Sequence, residues 1–170
     1  MLIMEIIYAI EKENIEIVKL LLSSQKIDVN CIMLLYKLPN LYNETPLHIA
    51  VRNENVEIVK LLLSCKNIDP NIYWISYLLN CCTSYREEMT ALYMAVKKEN
   101  LEIVKILCLD PSIDTGKPFM SSVCKGEQVI PPKKMFLEKK TPLYLAGSLQ
   151  NKEIYDYFND EMKITDFWPS

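Results

Sequence analysis

The 170-residue chain is half apolar and 24% charged, with a formal net charge of -3 and a pI near 5.3. This is the composition of a folded globular domain of ordinary size, which argues against a disordered chain. An acidic balance supplies no overall field to gather phosphate, so nucleic acid is disfavoured as a partner.

The chain opens with MLIMEIIYAIEKE, where Glu5 and Glu11 interrupt the apolar run and no basic residue starts it. A signal peptide needs both features, so the segment reads as a helix. Farther on, residues 72 to 82 are apolar but broken by Ser76 and Asn80, well short of the about 20 residues of a membrane span. No membrane partner is expected. Six cysteines without an export signal or a regular spacing suggest reduced thiols and a cytoplasmic setting.

A segment recurs along the chain: KENIEIVKLLLSS at 12–24, NENVEIVKLLLSC at 53–65 and KENLEIVKILCLD at 98–110. Aligning their shared Glu-Ile gives equivalent asparagines at Asn14, Asn55, Asn100 and Asn151, so four units follow one another at unequal intervals. A second element, TPLHIAV, TALYMAV and TPLYLAG, begins at Thr45, Thr90 and Thr141. Each threonine can cap a helix, and the proline after Thr45 and Thr141 suits the first helical position, so a short helix is expected from Pro46 to about Asn53. The stretch Val56–Leu63 puts Ile58, Val59, Leu61, Leu62 and Leu63 on one broad stripe, with Glu57 and Lys60 at its edge, which predicts a second helix. Isolated helices this short are marginal in water, so the units must stack.

TPLHIA at 45–50 followed by VEIVKLLLS at 56–64 resembles the ankyrin repeat, whose signature is T-P-L-H-x-A. The resemblance covers residues 2–30, 45–71, 90–114 and 141–158. It implies an all-α solenoid of four helix-turn-helix units forming a single domain over residues 1–170, with a capping tail at 159–170. Ankyrin units run to about 33 residues, so the excess falls in three inserts, 31–44, 72–89 and 115–140, expected as enlarged fingers.

Two departures carry expectations of their own. The family's inter-helix glycine falls at Glu13, Glu54, Glu99 and Gln150, and the neighbouring Asn14, Asn55, Asn100 and Asn151 are expected to take the left-handed conformation instead. The family's histidine survives only as His48, with Ile7, Tyr93 and Tyr144 in its place elsewhere. The fingers admit two readings. Neighbouring fingers can pair into a small sheet, or Tyr73, Trp74 and Tyr77 can form a partner-binding patch. In the third insert, Lys125-Gly126 suits a tight turn and Pro131-Pro132 ends a strand. Phe167 and Trp168 are read as folding back on the last unit.

The lone histidine is absorbed by the repeat motif, so no hydrolytic triad is expected. Cys81-Cys82 lacks metal-ligand spacing, and three glycines build no phosphate loop. No catalytic residue, metal, cofactor or small-molecule substrate is expected. Glu16, Glu57, Glu102 and Glu153 recur as solvated helix charges.

The resemblance implies a non-enzymatic module that binds another protein through its groove and fingers, or a structural or regulatory segment of a longer chain. By motif position the partner-binding residues are Glu11 and Lys12, Arg52 and Asn53, Lys97 and Lys98, Ser148 and Leu149. Glu44, Met89 and Lys140 precede the threonines, and Trp74 belongs to a finger. Lys12, Arg52, Lys97 and Lys98 would form a basic stripe, with Lys133, Lys134, Lys139 and Lys140 near its end, suited to an acidic protein segment.

Overall fold

A computed structural model describes residues 2–24, 27–37, 40–79, 83–125 and 138–163. Helices come in pairs: α1 (Leu2–Glu11) with α2 (Ile15–Ser23), α3 (Pro46–Arg52) with α4 (Val56–Leu63), α5 (Ala91–Lys97) with α6 (Leu101–Cys108), and α7 (Pro142–Ser148) with α8 (Lys152–Asp156). A π-helical turn, Tyr157–Glu161, extends the last helix. First helices pack on first helices and second on second, giving two layers that run the length of the stack.

Local chemistry sets each helix start. Thr45, Thr90 and Thr141 accept the backbone N–H three residues on, and Asn14, Asn55, Asn100 and Asn151 do the same for the second helices. The asparagines are therefore not left-handed; their φ values are -84°, -85°, -90° and -78°. At these four turns the left-handed residues are instead Glu13, Glu54, Glu99 and Gln150, at φ 52° to 58°. An N-cap needs non-helical φ/ψ at the asparagine, so the residue before it must make the turn.

Each turn closes as a Schellman motif. Glu54 N–H donates to Val51 O at 3.0 Å and Asn55 N–H to Ala50 O at 3.0 Å. The carboxylates at these positions also tie the units together. Asn55 Nδ2 donates to Glu13, Asn100 Nδ2 to Glu54 and Asn151 Nδ2 to Glu99, at 3.2, 3.1 and 2.9 Å. A left-handed glutamate costs on the order of 1 kcal/mol against glycine, and this ladder of inter-unit bonds opposes that cost. A parallel ladder runs through the outer turns. Asn30 Nδ2 donates to Asn67 O while its Oδ1 accepts from Asp69 N, and Asn71 repeats the pattern with Ser112 and Asp114.

Stripe residues Ile58, Val59 and Leu62 of α4 and Ile103, Val104 and Leu107 of α6 are fully buried, as the 3.6-residue period requires. Leu47 to Val51 and Leu92 to Val96 are buried all round, because each of these first helices is flanked by neighbours on both sides and by its own second helix.

The molecule is not all-α. Among the described residues six strands, β1 (Met33–Lys37), β2 (Asn40–Glu44), β3 (Trp74–Leu79), β4 (Thr83–Met89), β5 (Phe119–Lys125) and β6 (Glu138–Lys140), form one antiparallel sheet in sequence order. Each insert supplies a hairpin, and stacking of the helix pairs lays the hairpins side by side. Tyr42 then pairs with Ser76 between the first and second, and Glu87 with Ser121 between the second and third. The Lys125-Gly126 turn, Pro131-Pro132, Lys133, Lys134, Cys81, Cys82, Phe167 and Trp168 involve positions outside the described residues.

Candidate functional site

Alternation along the strands sorts the finger residues onto two faces. Trp74 stands opposite Met89, and Tyr42 opposite Ser76, so Tyr42, Glu44, Trp74 and Met89 share the face turned toward the first helices. Tyr77, three residues from Trp74, belongs to the other face, opposite Arg86, whose guanidinium lies 5.6 Å from its ring. Tyr73 precedes the strand; its hydroxyl donates to Pro118 O, and Lys117 Nζ sits 4.4 Å from its ring centre. Tyr73, Trp74 and Tyr77 therefore do not form one patch. Pairing of the fingers has divided them.

The helix-side face of the sheet and the first helices enclose a cleft of about 510 Å³ at the N-terminal end of the stack. Met4, Ile7, Tyr8, Glu11 and Arg52 line it from the helices, and Met33, Tyr42, Glu44 and Trp74 from the fingers. Tyr42 and Trp74 lie with ring centres 6.2 Å apart, tilted by 31°. The volume is in the range of pockets that take a ligand group or a large side chain.

One ion cluster organises the cleft. Arg52 Nε and Nη2 each donate to Glu44 at 3.1 Å, a two-pronged contact, and Nη2 also reaches Glu11 at 2.6 Å. Nη1 donates to Asn53 at 3.2 Å, and Trp74 Nε1 donates to Glu44 at 3.2 Å. Glu44 is only 2% exposed, and the guanidinium and the indole supply the hydrogen bonds its buried oxygens need. The cluster joins α1, β2, α3 and β3, four elements from two units and two fingers.

His48 lies behind the cleft, fully buried. Its ring Nδ1 is 2.8 Å from Thr45 Oγ1. Burial pushes the imidazole down to about 4, against an opposing interaction with the Met89 backbone. The ring is thus a neutral structural brace.

The residues expected to bind a partner separate into groups. Glu11, Glu44, Arg52 and Trp74 converge on the cleft. Asn53 is half-buried and bonds Ile10 O across the unit boundary. Lys12 is exposed, with its ammonium 5.7 Å from the Tyr8 ring, and Lys97 is exposed on α5. Lys98 is exposed and pairs with Glu54 at 3.3 Å. Lys140, half-buried, places its ammonium 5.8 Å from the Tyr144 ring, while Ser148 and Leu149 are exposed at the end of α7. Met89 is 3% exposed and presents nothing to a partner, because its strand turns it into the core opposite Trp74.

The expected basic stripe is therefore interrupted. Arg52 is neutralised by two carboxylates and Lys98 by one. Sequence reasoning missed Met4, Ile7, Tyr8, Met33 and Tyr42. The i, i+4 spacing of Met4 and Tyr8 on α1 is a signal that could have revealed a shared stripe; the finger residues needed the hairpin register.

Among the described residues no helix is long and apolar enough to cross a membrane, and no three metal-ligating side chains gather. Burial raises the thiols of Cys31 and Cys108 to about 11 and about 12.

Comparison with known proteins agrees with this architecture. A model described as ankyrin repeats (3 copies) matches residues 6–73, and a single ankyrin-repeat model matches residues 87–115. The chain belongs to the ankyrin repeat family. Among solved structures it is similar to the ankyrin repeat domain of Bcl-3, titled a unique member of the IkappaB protein family, with a TM-score of 0.56 and 15% identity. That likeness covers 92% of this chain and 56% of the other, so the chain spans little more than half the length of that structure. No curated protein sequence matches it. Members of the family generally serve as protein-protein interaction modules.

Proposed function

We propose that this chain is a non-enzymatic binding module that grips a partner protein in the angle between its first helices and its finger sheet, using the cleft to hold an apolar side chain. The cleft carries the reading: about 510 Å³, walled by Tyr8, Tyr42, Trp74 and two methionines, beside a cluster whose polar groups already satisfy one another. Aromatic and methionine side chains around a depression supply interface energy and adapt to a partner's shape. The pairing of Arg52 and Lys98 weakens the case for an acidic segment. Lys12, Lys97, Ser148 and Leu149 extend the contact along the rim.

Affinity capture with the intact chain, set against a Tyr42→Ala variant of unchanged helical circular dichroism, tests the proposal. Partners bound through the cleft should weaken about tenfold or more with the variant. They should bind with a negative heat-capacity change and little dependence on salt. Equal capture by both forms would defeat the cleft, and a steep loss of affinity with salt would restore the acidic-segment reading.

A further inference from the structure

The first and third junctions of the stack hold opposite charges at the same three positions. At the first, Glu11 ends the first helix of unit one, Arg52 ends that of unit two, and Glu44 stands just before the Thr45 cap. Both carboxylates reach the one guanidinium, at 2.6 and 3.1 Å. At the third junction the equivalent positions are Lys97, Ser148 and Lys140: α5 ends at Lys97, α7 ends at Ser148, and Lys140 precedes the Thr141 cap. Two bases flank a serine where two acids flanked a base. Ser148 carries no charge, and its hydroxyl donates to Leu145 O at 2.8 Å. Lys97 is exposed and joins no ion pair among the described residues. Lys140, half-buried, keeps its ammonium 5.8 Å from the Tyr144 ring.

Building on the cleft as the seat of a partner's apolar side chain, we propose that the same partner segment carries one carboxylate, from Asp or Glu, that seats between Lys97 and Lys140 over Ser148. It lies there as Arg52 lies between Glu11 and Glu44, with the signs exchanged. A run of acids is not called for. Arg52 and Lys98 are already paired, and Glu87, on the helix-side face of β4 between the two sites, repels an acid placed midway. The sheet sets the spacing. Trp74 donates to Glu44 and stands opposite Met89, while Phe119 stands opposite Lys140, so Glu44 and Lys140 close one row of the sheet, four strand steps apart. At about 4.8 Å per strand the separation is roughly 19 Å, or about six residues of extended chain. The apolar anchor and the acid therefore fix both the direction and the register of the segment along the groove.

Selection of random dodecapeptides displayed on phage against the immobilised intact chain tests this. The wild-type protein should enrich peptides that pair a large apolar residue with Asp or Glu about six positions away. Lys97→Glu with Lys140→Glu should retain the apolar residue and exchange the acid for Lys or Arg, whereas Tyr42→Ala should retain the acid and relax the apolar position. A synthetic peptide of the wild-type consensus should bind the double variant at least about tenfold more weakly. If the double variant misfolds, Lys97→Glu alone alters an exposed side chain and should still weaken that peptide about threefold. Enriched peptides with no acid at a fixed distance, or acids that persist against the charge-reversed protein, would overturn the proposal. An acid enriched without any apolar residue would defeat the cleft reading and uphold the lysine pair.

Discussion

The helix layers and the finger sheet solve the same stacking problem by different means. In the helices the residues are nearly interchangeable: Ile58 and Ile103, Val59 and Val104, Leu62 and Leu107 do the same work at successive junctions. In the sheet the three hairpins come from unlike segments, and what they share is antiparallel pairing in sequence order. Repetition makes the layers a scaffold whose stability is a sum of similar interfaces. Free of the repeat, the fingers carry groups such as Trp74 and Tyr42 that no other unit has, so what is unique in the chain is concentrated where the sequence stops repeating.

The comparison breaks most visibly in the helical core. Ile103→Ala removes a fully buried side chain at a junction and should cost about 3 kcal/mol, within the usual range for such truncations. Denaturant unfolding should show the whole stack losing stability, and a loss confined to one unit would mean that the junctions are not coupled.

His48 links the two regions and should make their union sensitive to acid. Its folded value of about 4 lies below the ordinary 6.5, so the unfolded chain binds the extra proton between those values. Its contribution is present in full above pH 6.5 and falls away as pH drops toward 4, by about 3 kcal/mol at most. Urea midpoints measured across that window should fall with acid, and His48→Gln should flatten the slope.

On the finger side, Arg52→Ala would leave Glu44 buried with the Trp74 indole as its remaining side-chain partner among the described residues. Part of the arginine is solvated, so a loss of about 2 kcal/mol is expected, below the range for a fully buried pair. Adding Glu44→Gln should recover much of it. Failure of the second substitution to help would show that the cluster acts by packing and not by charge.

Asn55→Ala should have the smallest effect, about 1 kcal/mol for the lost cap, with the bond to Glu13 lost at the same time. Asn55→Gly should cost only a few tenths on the cap itself. A larger loss in the glycine variant would assign the remainder to the inter-unit ladder.

Much of the scaffold was legible in the chain. Thr45-Pro46 and the Ile58–Leu63 stripe are local signals, and α4 begins and ends at the residues the stripe implies. The helix turn was misread because the chain offers two residues for one left-handed position. Asparagine tolerates that conformation better than glutamate, but its side chain is required as the cap of the next helix, and the cap decides the assignment. Of the candidate site, Glu11, Glu44, Arg52 and Trp74 could be named from the sequence. Met89 was misplaced, because its exposure depends on which face of a paired strand it occupies.

The amino-acid order alone determined the units, their helix starts and the apolar stripes that force them to stack, because those depend on contacts a few residues apart. Tertiary structure decided the sheet, the cleft and the charge state of the groove. Each arises from residues brought together across 30 to 41 positions, as in Trp74 with Glu44 and Arg52 with Glu11. Such pairs leave no periodic trace in the chain, since their partners are chosen by strand register and by the step between neighbouring units.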